Sequence, residues 1–420
     1  MTETADAVVV GGGVNGVSIA YALAARGVRR VVLCEKAALA SGASGYSSAL
    51  VRMHYTNEWD ARLAFASFPV FRSWTEIMGG PSVFTHTGFV NVVAPPYAEA
   101  LRRNVEMLRA IGIDTVALSP ADLHDLQPFA NVEDLGAAAW EPASGYADPA
   151  ATVEGFRRRA QDLGAEARQW TGVTRILRRE SRVLGVETVA GRIDAGAVVV
   201  AAGAWAPRLC REIGLDIPAR VKGLDTVQVT RPAALTDPHM IFIDNVQGSY
   251  FRPESGIRTI VGVPCQEWDL DPDGPAVLAP GAAAVGAQIL THRIPALEGA
   301  TLARGYRAFR SLQPGSPRDP GARGRHRRPV SRHRVQRLRL QDRARGGRVH
   351  GRADPRRPGE DGGHRAVQLA AVRRGALAGR PVPVRPAAGS CRTRLTCPEG
   401  PSTLTEPTYR AGRPTCSSAW

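Results

Sequence analysis

The first forty residues alternate between short apolar runs and glycine-rich turns, in an order that predicts a strand, a helix and a second strand. Residues 7–10 are a β-branched run, and a glycine-containing stretch at 11–16 follows it. Residues 17–26 are an alanine-rich helical segment that Gly27 ends. Val31–Cys34 is the second strand, and a later apolar run at 198–202 predicts a buried strand that exits through a glycine.

Glycines between the first strand and the helix have the spacing of a dinucleotide-binding turn. Gly11 permits a tight turn, Gly13 lets the backbone approach a pyrophosphate, and Gly16 lets the helix pack closely on the strand. Free N–H groups at the helix start favour phosphate charge, and Glu35 stands where a ribose-binding carboxylate is expected. An ordinary strand-to-helix turn is the alternative, but the complete unit favours nucleotide binding. The nucleotide-binding residues predicted here are Gly11, Gly13, Val14, Asn15, Gly16, Glu35 and Lys36.

The net charge of the chain is concentrated after residue 314. The whole sequence has 54 Lys and Arg against 39 Asp and Glu, a formal charge of +15. From Gly315 onward there are 24 Arg, no Lys and 7 acidic residues, so residues 1–314 carry 30 basic and 32 acidic side chains. The first 314 residues therefore lack the positive excess typical of a nucleic-acid-binding or membrane-surface domain.

A small, hydroxyl-rich segment at 41–49 follows the nucleotide-binding unit, where its backbone can lie against a flat ring. With this segment, the glycine turn, the stretch 198–205 and the sequence 305–307, the chain resembles the D-amino-acid oxidase superfamily of flavoproteins. Within it, the glycine oxidase, sarcosine oxidase and dimethylglycine dehydrogenase branches are the most similar, over about residues 5–314. The resemblance implies that FAD also contacts Gly42, Ala43, Ser44, Ser47, Ser48, Val173, Ala202, Gly203 and Trp205.

The resemblance implies an α/β fold with two domains. A discontinuous Rossmann-like FAD-binding domain is expected at 1–80 and 148–222, with a return to it at 300–314. An α+β substrate domain on a mixed sheet is expected at 81–147 and 223–299. Strands at 88–93 and 257–263 are assigned to that second domain.

The expected chemistry is hydride transfer to flavin from the carbon beside an amine, with the protein orienting the substrate. An arginine is the natural clamp for a substrate carboxylate because its fork binds both oxygens. By resemblance, Arg52 and Arg307 are candidates for that clamp, and Tyr250 is a candidate substrate contact. His54 is a candidate base for the substrate amine, because imidazole titrates near neutrality. For each of these residues a structural role, on the surface or in the core, is the alternative.

The expected substrate is a small amino acid or N-methyl amine of the sarcosine, dimethylglycine, glycine or D-amino-acid class. The lysine that promotes oxygen reactivity in sarcosine oxidases would fall near Arg258, so oxygen and another electron acceptor both stay open. Residues that attach flavin covalently in relatives are not at their matching positions, so FAD is expected to be held non-covalently. Association with other subunits is left open.

The tail at 315–420 is rich in Arg, Pro and Gly, and its apolar residues follow neither strand nor helix periodicity, so disorder is expected. Read one nucleotide later with GC-rich codons, it becomes similar to the flavin-covering segment of the family. A reading-frame shift near Pro314 and Gly315 is the interpretation, and an inactive, flavin-poor product is one alternative function. A basic-tailed nucleic-acid-binding protein is the other, although only Tyr409 and Trp420 in the tail are aromatic.

Other features argue for a cytoplasmic protein without a metal site. The six cysteines have no paired spacing, and no basic-then-apolar signal segment precedes the first strand. The longest apolar runs fall short of the roughly 20 residues that a membrane helix needs. No membrane partner is expected.

Overall fold

A computed structural model describes residues 3–312, except 234, 236, 237 and 255. The predicted disorder and shifted frame of 315–420 lie outside the described residues. The strands are β1 (Glu3–Val10), β2 (Val31–Cys34), β3 (Leu50–Val51), β4 (Phe84–His86), β5 (Phe89–Val93), β6 (Val116–Leu118), β7 (Ala137–Glu141), β8 (Gly145–Ala147), β9 (Glu166–Arg168), β10 (Val173–Arg179), β11 (Arg182–Thr188), β12 (Gly191–Val200), β13 (Arg220–Thr230), β14 (Ile241–Asp244), β15 (Ser249–Glu254), β16 (Arg258–Val263) and β17 (Thr301–Leu312). The helices are α1 (Val14–Ala25), α2 (Glu58–Arg72), α3 (Trp74–Met78), α4 (Ala98–Ile111), α5 (Pro120–Leu126), α6 (Pro149–Asp162), α7 (Ala206–Arg211) and α8 (Ala282–Arg293).

The first sheet has six strands in the order β10-β11-β12-β1-β2-β9. Its strands β12, β1, β2 and β9 are parallel, and β10 and β11 add an antiparallel edge. All four residues of β2 are buried, as expected for a central parallel strand covered on both faces. Helices α1 and α6 cover one of those faces, where Val17 and Val153 belong to the same core as Leu33.

The second sheet has eight strands in the order β17-β13-β16-β15-β14-β5-β7-β6 and is mixed, because β14 and β5 are parallel while its other pairs are antiparallel. Helix α8 covers one face, where a Cβ on Gly286 would lie 3.2 Å from Val261 and 3.3 Å from Val227. The opposite face turns toward the hydroxyl-rich segment, since the rings of Tyr306 and Tyr46 lie 5.6 Å apart. A small third sheet, in the order β3-β8-β4, follows that segment.

This arrangement matches the predicted fold class, a nucleotide-binding α/β domain beside a second domain on a mixed sheet. The strands at 3–34 and 166–200 build the first sheet, and those at 89–141 and 220–312 build the second. The predicted return to the first domain at 300–314 falls on strand β17. This strand pairs with β13 along 301–312, in an antiparallel register from Arg220↔Leu312 to Thr230↔Thr301.

Candidate functional site

A cavity of about 630 Å³ opens at the carboxyl ends of β1, β2 and β12. Ligands of open α/β sheets bind in this kind of crevice. Three residues near the end of β17, at 309–311, also line it. Twelve predicted cofactor residues line the cavity: Gly11, Gly13, Asn15, Glu35, Lys36, Gly42, Ala43, Ser44, Val173, Ala202, Gly203 and Trp205. The other four, Val14, Gly16, Ser47 and Ser48, are not among the residues that line it.

The glycine turn has room for backbone only. Gly11 has a φ of +110°, and a Cβ there would lie 2.6 Å from the carbonyl oxygen of Ala201 in the neighbouring strand's exit turn. A Cβ on Gly16 would lie 1.8 Å from the Gly11 carbonyl oxygen. These positions therefore require glycine, and the bare backbone fits the close approach of a pyrophosphate.

Glu35 closes the turn from the end of β2. Its carboxylate accepts hydrogen bonds from the backbone N–H of Gly12 at 2.6 Å and of Ala37 at 2.9 Å. Each carboxylate oxygen keeps a further lone pair, so the side chain can also accept from ribose hydroxyls. Gly12, which the sequence analysis left out, is as constrained as its neighbours because a Cβ there would lie 2.9 Å from that of Glu35.

The hydroxyl-rich segment reaches the start of α1. Ser44 Oγ accepts a hydrogen bond from the Val14 N–H at 3.0 Å, so one of the donors at the helix start is already engaged. Ser47 Oγ accepts from the Ala49 N–H at 2.9 Å, which makes Ser47 a turn residue of the segment.

Asp273, from the loop between β16 and α8, binds three residues that line the cavity. One of its oxygens accepts from Lys36 Nζ at 2.6 Å and from Trp205 Nε1 at 2.8 Å, and the other pairs with Arg208 at 2.9 Å. Lys36 Nζ also lies 3.9 Å from the centre of the Trp205 ring. The Lys36 hydrogen bond, followed by those of Trp205 and Arg208, lowers the pKa of Asp273 to about 2. A loop of the second sheet is thus tied to three residues of the nucleotide cavity.

A second cavity, of about 540 Å³, lies between the segment that follows β3 and the second sheet. Of the predicted catalytic residues, Arg52, His54 and Tyr250 line it. Lys222 of β13 and Arg310 of β17, neither of which the sequence analysis selected, line it too. Arg310 also lines the first cavity, so the two cavities are adjacent.

Arg52 is held by aromatic rings and by backbone. Its guanidinium carbon lies 4.3 Å from the centre of the Tyr55 ring and 5.5 Å from that of Phe89, and its Nη1 donates to the His54 carbonyl. Cation–π contacts of this kind fix a guanidinium without neutralising it. The Arg52 guanidinium therefore lies in the wall of this cavity with its charge retained.

His54 is buried, and its environment opposes protonation. Burial, and then the charge of Arg52, lower the pKa of His54 to about 3. Its Nε2 lies 3.2 Å from the side-chain nitrogen of Asn104, and its Nδ1 has no hydrogen-bond partner among the described residues. Near neutral pH the ring is therefore an uncharged, weak base, which argues against the base role expected from sequence.

Tyr250 lies flat against the second sheet. It is the cross-strand partner of Gly262, where a Cβ would lie 2.2 Å from the tyrosine ring. Gly262 pairs in turn with Thr226, and Thr226 pairs with Tyr306, so Tyr250 and Tyr306 are on one face of the sheet. That face forms a wall of the second cavity.

Arg307 does not line either cavity. Its guanidinium makes a bidentate ion pair with Asp225, at 2.7 and 2.8 Å, and also binds both oxygens of Glu267, at 2.9 and 2.7 Å. This geometry differs from the substrate clamp that the sequence predicted for Arg307. Two carboxylates of the protein already bind its guanidinium. With Cys265, the same carboxylates form a cluster of possible metal ligands among the described residues, but Arg307 already supplies their counter-charge.

Two buried residues missed by the sequence analysis fix the backbone around the site. Arg252 donates to the Ser48 carbonyl at 2.6 Å and stacks 4.0 Å from the centre of the Tyr146 ring. Glu141 accepts from the Met53 N–H at 2.9 Å, next to Arg52 in the chain. No local sequence signal marks either residue, since their partners lie 204 and 88 positions away.

Comparison with known proteins decides the family. The family model described as FAD dependent oxidoreductase (DAO) matches residues 6–328, more than three quarters of the chain. The chain belongs to this family. The predicted resemblance is confirmed, and the cradle of Gly11, Gly16 and Glu35 fits the cofactor after which the family is named.

Relatives with known activities share this family. The chain is 27% identical over 253 residues to dimethylglycine dehydrogenase of Mus musculus, covering 59% of this chain and 29% of the relative. It is 28% identical over 271 residues to sarcosine oxidase subunit beta of an Arthrobacter species, covering 61% of this chain and 67% of the relative. The fold is similar to the crystal structure of L-proline dehydrogenase from P. horikoshii, with 25% identity, a TM-score of 0.69, and 76% and 84% of the two chains covered.

The chain thus spans less than a third of the dimethylglycine dehydrogenase that it matches. The family match ends 14 residues after the position where a frame shift was inferred. The comparisons support neither of the alternative functions, the flavin-poor product of a shifted frame or the nucleic-acid-binding protein. Among the described helices, none has the length and apolar character to cross a bilayer.

Proposed function

We propose that the protein is an FAD-dependent enzyme that oxidises the carbon–nitrogen bond of a small amino acid or N-methyl amine. The adjacency of the two cavities through Arg310 is the observation that carries the proposal. One cavity has a nucleotide cradle, and Arg52 and Tyr250 line the other, where they would contact a substrate. When bound, FAD accepts a hydride from the carbon next to the substrate nitrogen.

The cradle would hold the cofactor without a covalent bond. Gly11 and Gly13 give the pyrophosphate access to backbone N–H groups at the start of α1, and Glu35 accepts the ribose hydroxyls. Val173 and Trp205 line the same cavity and would contact the adenosine half of the cofactor.

In the second cavity, Arg52 would bind the substrate carboxylate and Tyr250 would form part of the pocket wall. These contacts would orient the substrate carbon for hydride transfer to the flavin. Such orientation is the main contribution that this chemistry requires from a protein. We assign His54 a positioning role rather than a basic one, because its ring is neutral and contacts Asn104. The substrate amine would then enter in its neutral form or lose its proton to solvent.

The reduced flavin passes its electrons either to oxygen or to another carrier, and the experiment below distinguishes the two. The name of the Arthrobacter relative is that of one subunit, which supports a test for partner subunits. A reducing, cytoplasmic location is consistent with Cys34, Cys210 and Cys265, which are free thiols.

Anaerobic flavin bleaching tests the function directly. The purified chain is loaded with FAD and mixed without oxygen with sarcosine, dimethylglycine, glycine, proline and D-amino acids. Loss of the oxidised-flavin absorbance with one of these substrates is the expected result, and peroxide yield against dye reduction then identifies the acceptor. A protein that binds FAD but is bleached by none of them would refute the proposal.

Arg52→Gln provides the matched variant. It should raise KM for the substrate and leave the flavin content nearly unchanged. The reason is that the substitution removes the guanidinium proposed to bind the substrate carboxylate. Arg62→Gln, which removes an exposed arginine from α2, is the control and should leave both unchanged.

A further inference from the structure

Strand β5 places one polar residue among apolar ones in the wall of the second cavity. Its sequence is Phe-Val-Asn-Val-Val, and all five residues are buried. Asn91, the polar residue, is 9% exposed and lines the cavity. A buried amide is costly unless its polar atoms are hydrogen-bonded, so an apolar residue would fit this strand better. Asn91 is therefore a candidate for contact with a ligand.

The strand register places Asn91 on the face of the sheet that carries Tyr250. Asn91 of β5 pairs with Ile243 of β14, and Ile243 pairs with Tyr250 of β15. Directly paired residues project from the same face of a sheet. With about 4.8 Å between neighbouring strands, roughly 10 Å separate the backbones of Asn91 and Tyr250. A substrate with a side chain of several carbon atoms could contact both residues.

The second cavity has room for such a substrate. Its volume of about 540 Å³ is within the range of pockets that bind drug-sized ligands. Glycine and sarcosine are much smaller than that and would leave most of the cavity to other groups.

The hydrogen bonds of Asn245 fix the orientation of the Asn91 amide. Asn245 Nδ2 donates to Asn91 Oδ1 at 2.9 Å and to the Val92 carbonyl at 3.2 Å. A carbonyl can only accept, so Asn245 presents its nitrogen here and Asn91 presents its oxygen to that nitrogen. Among the described residues this is the one side-chain hydrogen bond of Asn91. The N–H groups of its Nδ2 are therefore left for an acceptor in the cavity.

A second asparagine of the cavity wall is oriented by His54. Asn104 of α4 is half-buried and lines the cavity, and its Nδ2 lies 3.2 Å from His54 Nε2. The amide nitrogen is a donor, so the neutral ring accepts through Nε2. This is the one hydrogen bond of the ring among the described residues, because Nδ1 has no partner there. Asn104 Oδ1 is therefore left as an acceptor.

His54 also links Asn104 to the strand that carries Asn91. The His54 ring lies 6.1 Å from the ring of Phe89, measured between their centres. Phe89 and Asn91 are two residues apart on β5, so they project from the same face. Asn104 and Asn91 therefore lie in the same region of the cavity wall, one offering a hydrogen-bond acceptor and the other a donor.

We infer that Asn91 and Asn104 form a binding site for a carboxamide group in the side chain of the substrate. Asn91 Nδ2 donates to the carboxamide oxygen, and Asn104 Oδ1 accepts from the carboxamide NH₂ group. The preferred substrate class is then an amino acid or N-methyl amino acid whose side chain ends in a carboxamide. The inference rests on the proposed function for the use of the cavity, and it deepens that function by naming the substrate class.

Matched ligand pairs test the inference without turnover. Succinamate and levulinate have the same length and charge, and so do glutaramate and 5-oxohexanoate. In each pair the first has a carboxamide NH₂ group where the second has a methyl group. Binding to the FAD-loaded protein is measured by calorimetry. At least one amide should bind about tenfold or more tightly than its ketone, because the ketone leaves Asn104 Oδ1 without a donor. Equal affinities within both pairs overturn the inference.

Variants assign the two contacts separately. Asn104→Leu should bring the amide-to-ketone affinity ratio close to one, because it removes the acceptor for the NH₂ group. Asn91→Leu should weaken the amide and the ketone by a similar factor, about fivefold, because both ligands have the carbonyl oxygen that Asn91 binds. An unchanged ratio in Asn104→Leu, or unchanged affinities in Asn91→Leu, overturns the inference.

Arg103→Gln is the control for the helix. Arg103 precedes Asn104 on α4 and is exposed, so its replacement should leave the affinities and their ratio as in the wild type. A loss of the ratio in Arg103→Gln equal to that in Asn104→Leu would show a general disturbance of α4 and would overturn the inference.

Failure of this inference is distinct from failure of the proposed function. If amines bleach the flavin and neither amide is preferred over its ketone, only the inference fails. If no amine bleaches the flavin while an amide still binds through Asn104, the function fails and the carboxamide site stands.

Discussion

At the scale of residues, the site depends on glycines, because a side chain at these positions would collide with neighbouring backbone or with an aromatic ring. Gly11 and Gly16 leave room for backbone in the nucleotide turn, and Gly262 leaves room for the ring of Tyr250. The first two follow from a recognisable spacing in the sequence. Gly262 does not, because its neighbour is on another strand.

Gly262→Ala should displace the Tyr250 ring. The added Cβ would lie 2.2 Å from it, and overpacking of this kind costs about 1–3 kcal/mol. We expect kcat/KM for the best substrate to fall about tenfold with flavin content unchanged. Gly299→Ala is the control, since a Cβ there meets its nearest atom at 3.4 Å. Equal kcat/KM in Gly262→Ala and wild type would show that Tyr250 does not shape the pocket.

Buried histidines should make stability depend on pH. The pKa of His54 is lowered from 6.5 to about 3 and that of His239 to about 4, in both cases mainly by burial. The unfolded chain therefore binds protons that the folded chain does not, and stability is lost as pH falls from about 6.5 toward 4.

Urea denaturation at pH 7 and pH 5 measures this loss. His54→Gln should reduce the difference in unfolding free energy between the two pH values. If wild type and His54→Gln lose the same free energy between pH 7 and pH 5, the explanation is wrong.

At the scale of elements, register decides which charges meet. Arg307 and Asp225 are directly opposed on β17 and β13, and Arg252 of β15 reaches the Ser48 carbonyl. The predicted strand Val31–Cys34 is confirmed. Helix α1 begins at Val14 rather than 17, because Ser44 from a distant segment accepts the Val14 N–H.

Arg307→Gln should destabilise the fold rather than alter substrate choice. Removing one partner of a buried ion pair costs about 3–5 kcal/mol, because Asp225 is left buried without its counter-charge. The measurement is the free energy of unfolding, together with the relative kcat/KM for the substrates that bleach the flavin.

The double variant Asp225→Asn with Arg307→Gln should recover part of the lost stability, since no uncompensated charge stays buried. Arg192→Gln, from an exposed pair with Asp194, should cost at most about 1 kcal/mol. An altered substrate preference with unchanged stability in Arg307→Gln would restore the clamp role that the sequence suggested.

At the scale of the whole molecule, the two sheets are joined across the nucleotide cavity by Asp273. Its loop follows β16 of the second sheet, while its partners Lys36, Trp205 and Arg208 belong to the first domain. Because these contacts hold three lining residues of the nucleotide cavity in place, they should slow the exit of a bound cofactor.

Asp273→Ala should therefore speed FAD release several-fold. The three lost contacts are partly exposed and worth up to about 1 kcal/mol each, so the effect is moderate. Stopped-flow measurement of flavin fluorescence on dilution gives the dissociation rate, and Asp269→Ala, whose partner is the exposed Arg220, is the control. Identical rates in Asp273→Ala and wild type would show that these contacts do not retain the cofactor.

The sequence by itself determined the nucleotide cradle, because its parts lie within thirty residues and each has a local signal in turn, helix start or strand end. The tertiary structure decided the substrate side. Arg307 met Asp225 from 82 residues away, Arg252 met Ser48 from 204 away, and Lys222 came to face Arg310. The physical reason is that the charge environment of a side chain is set by strand register and burial, and these arise only when distant segments pair.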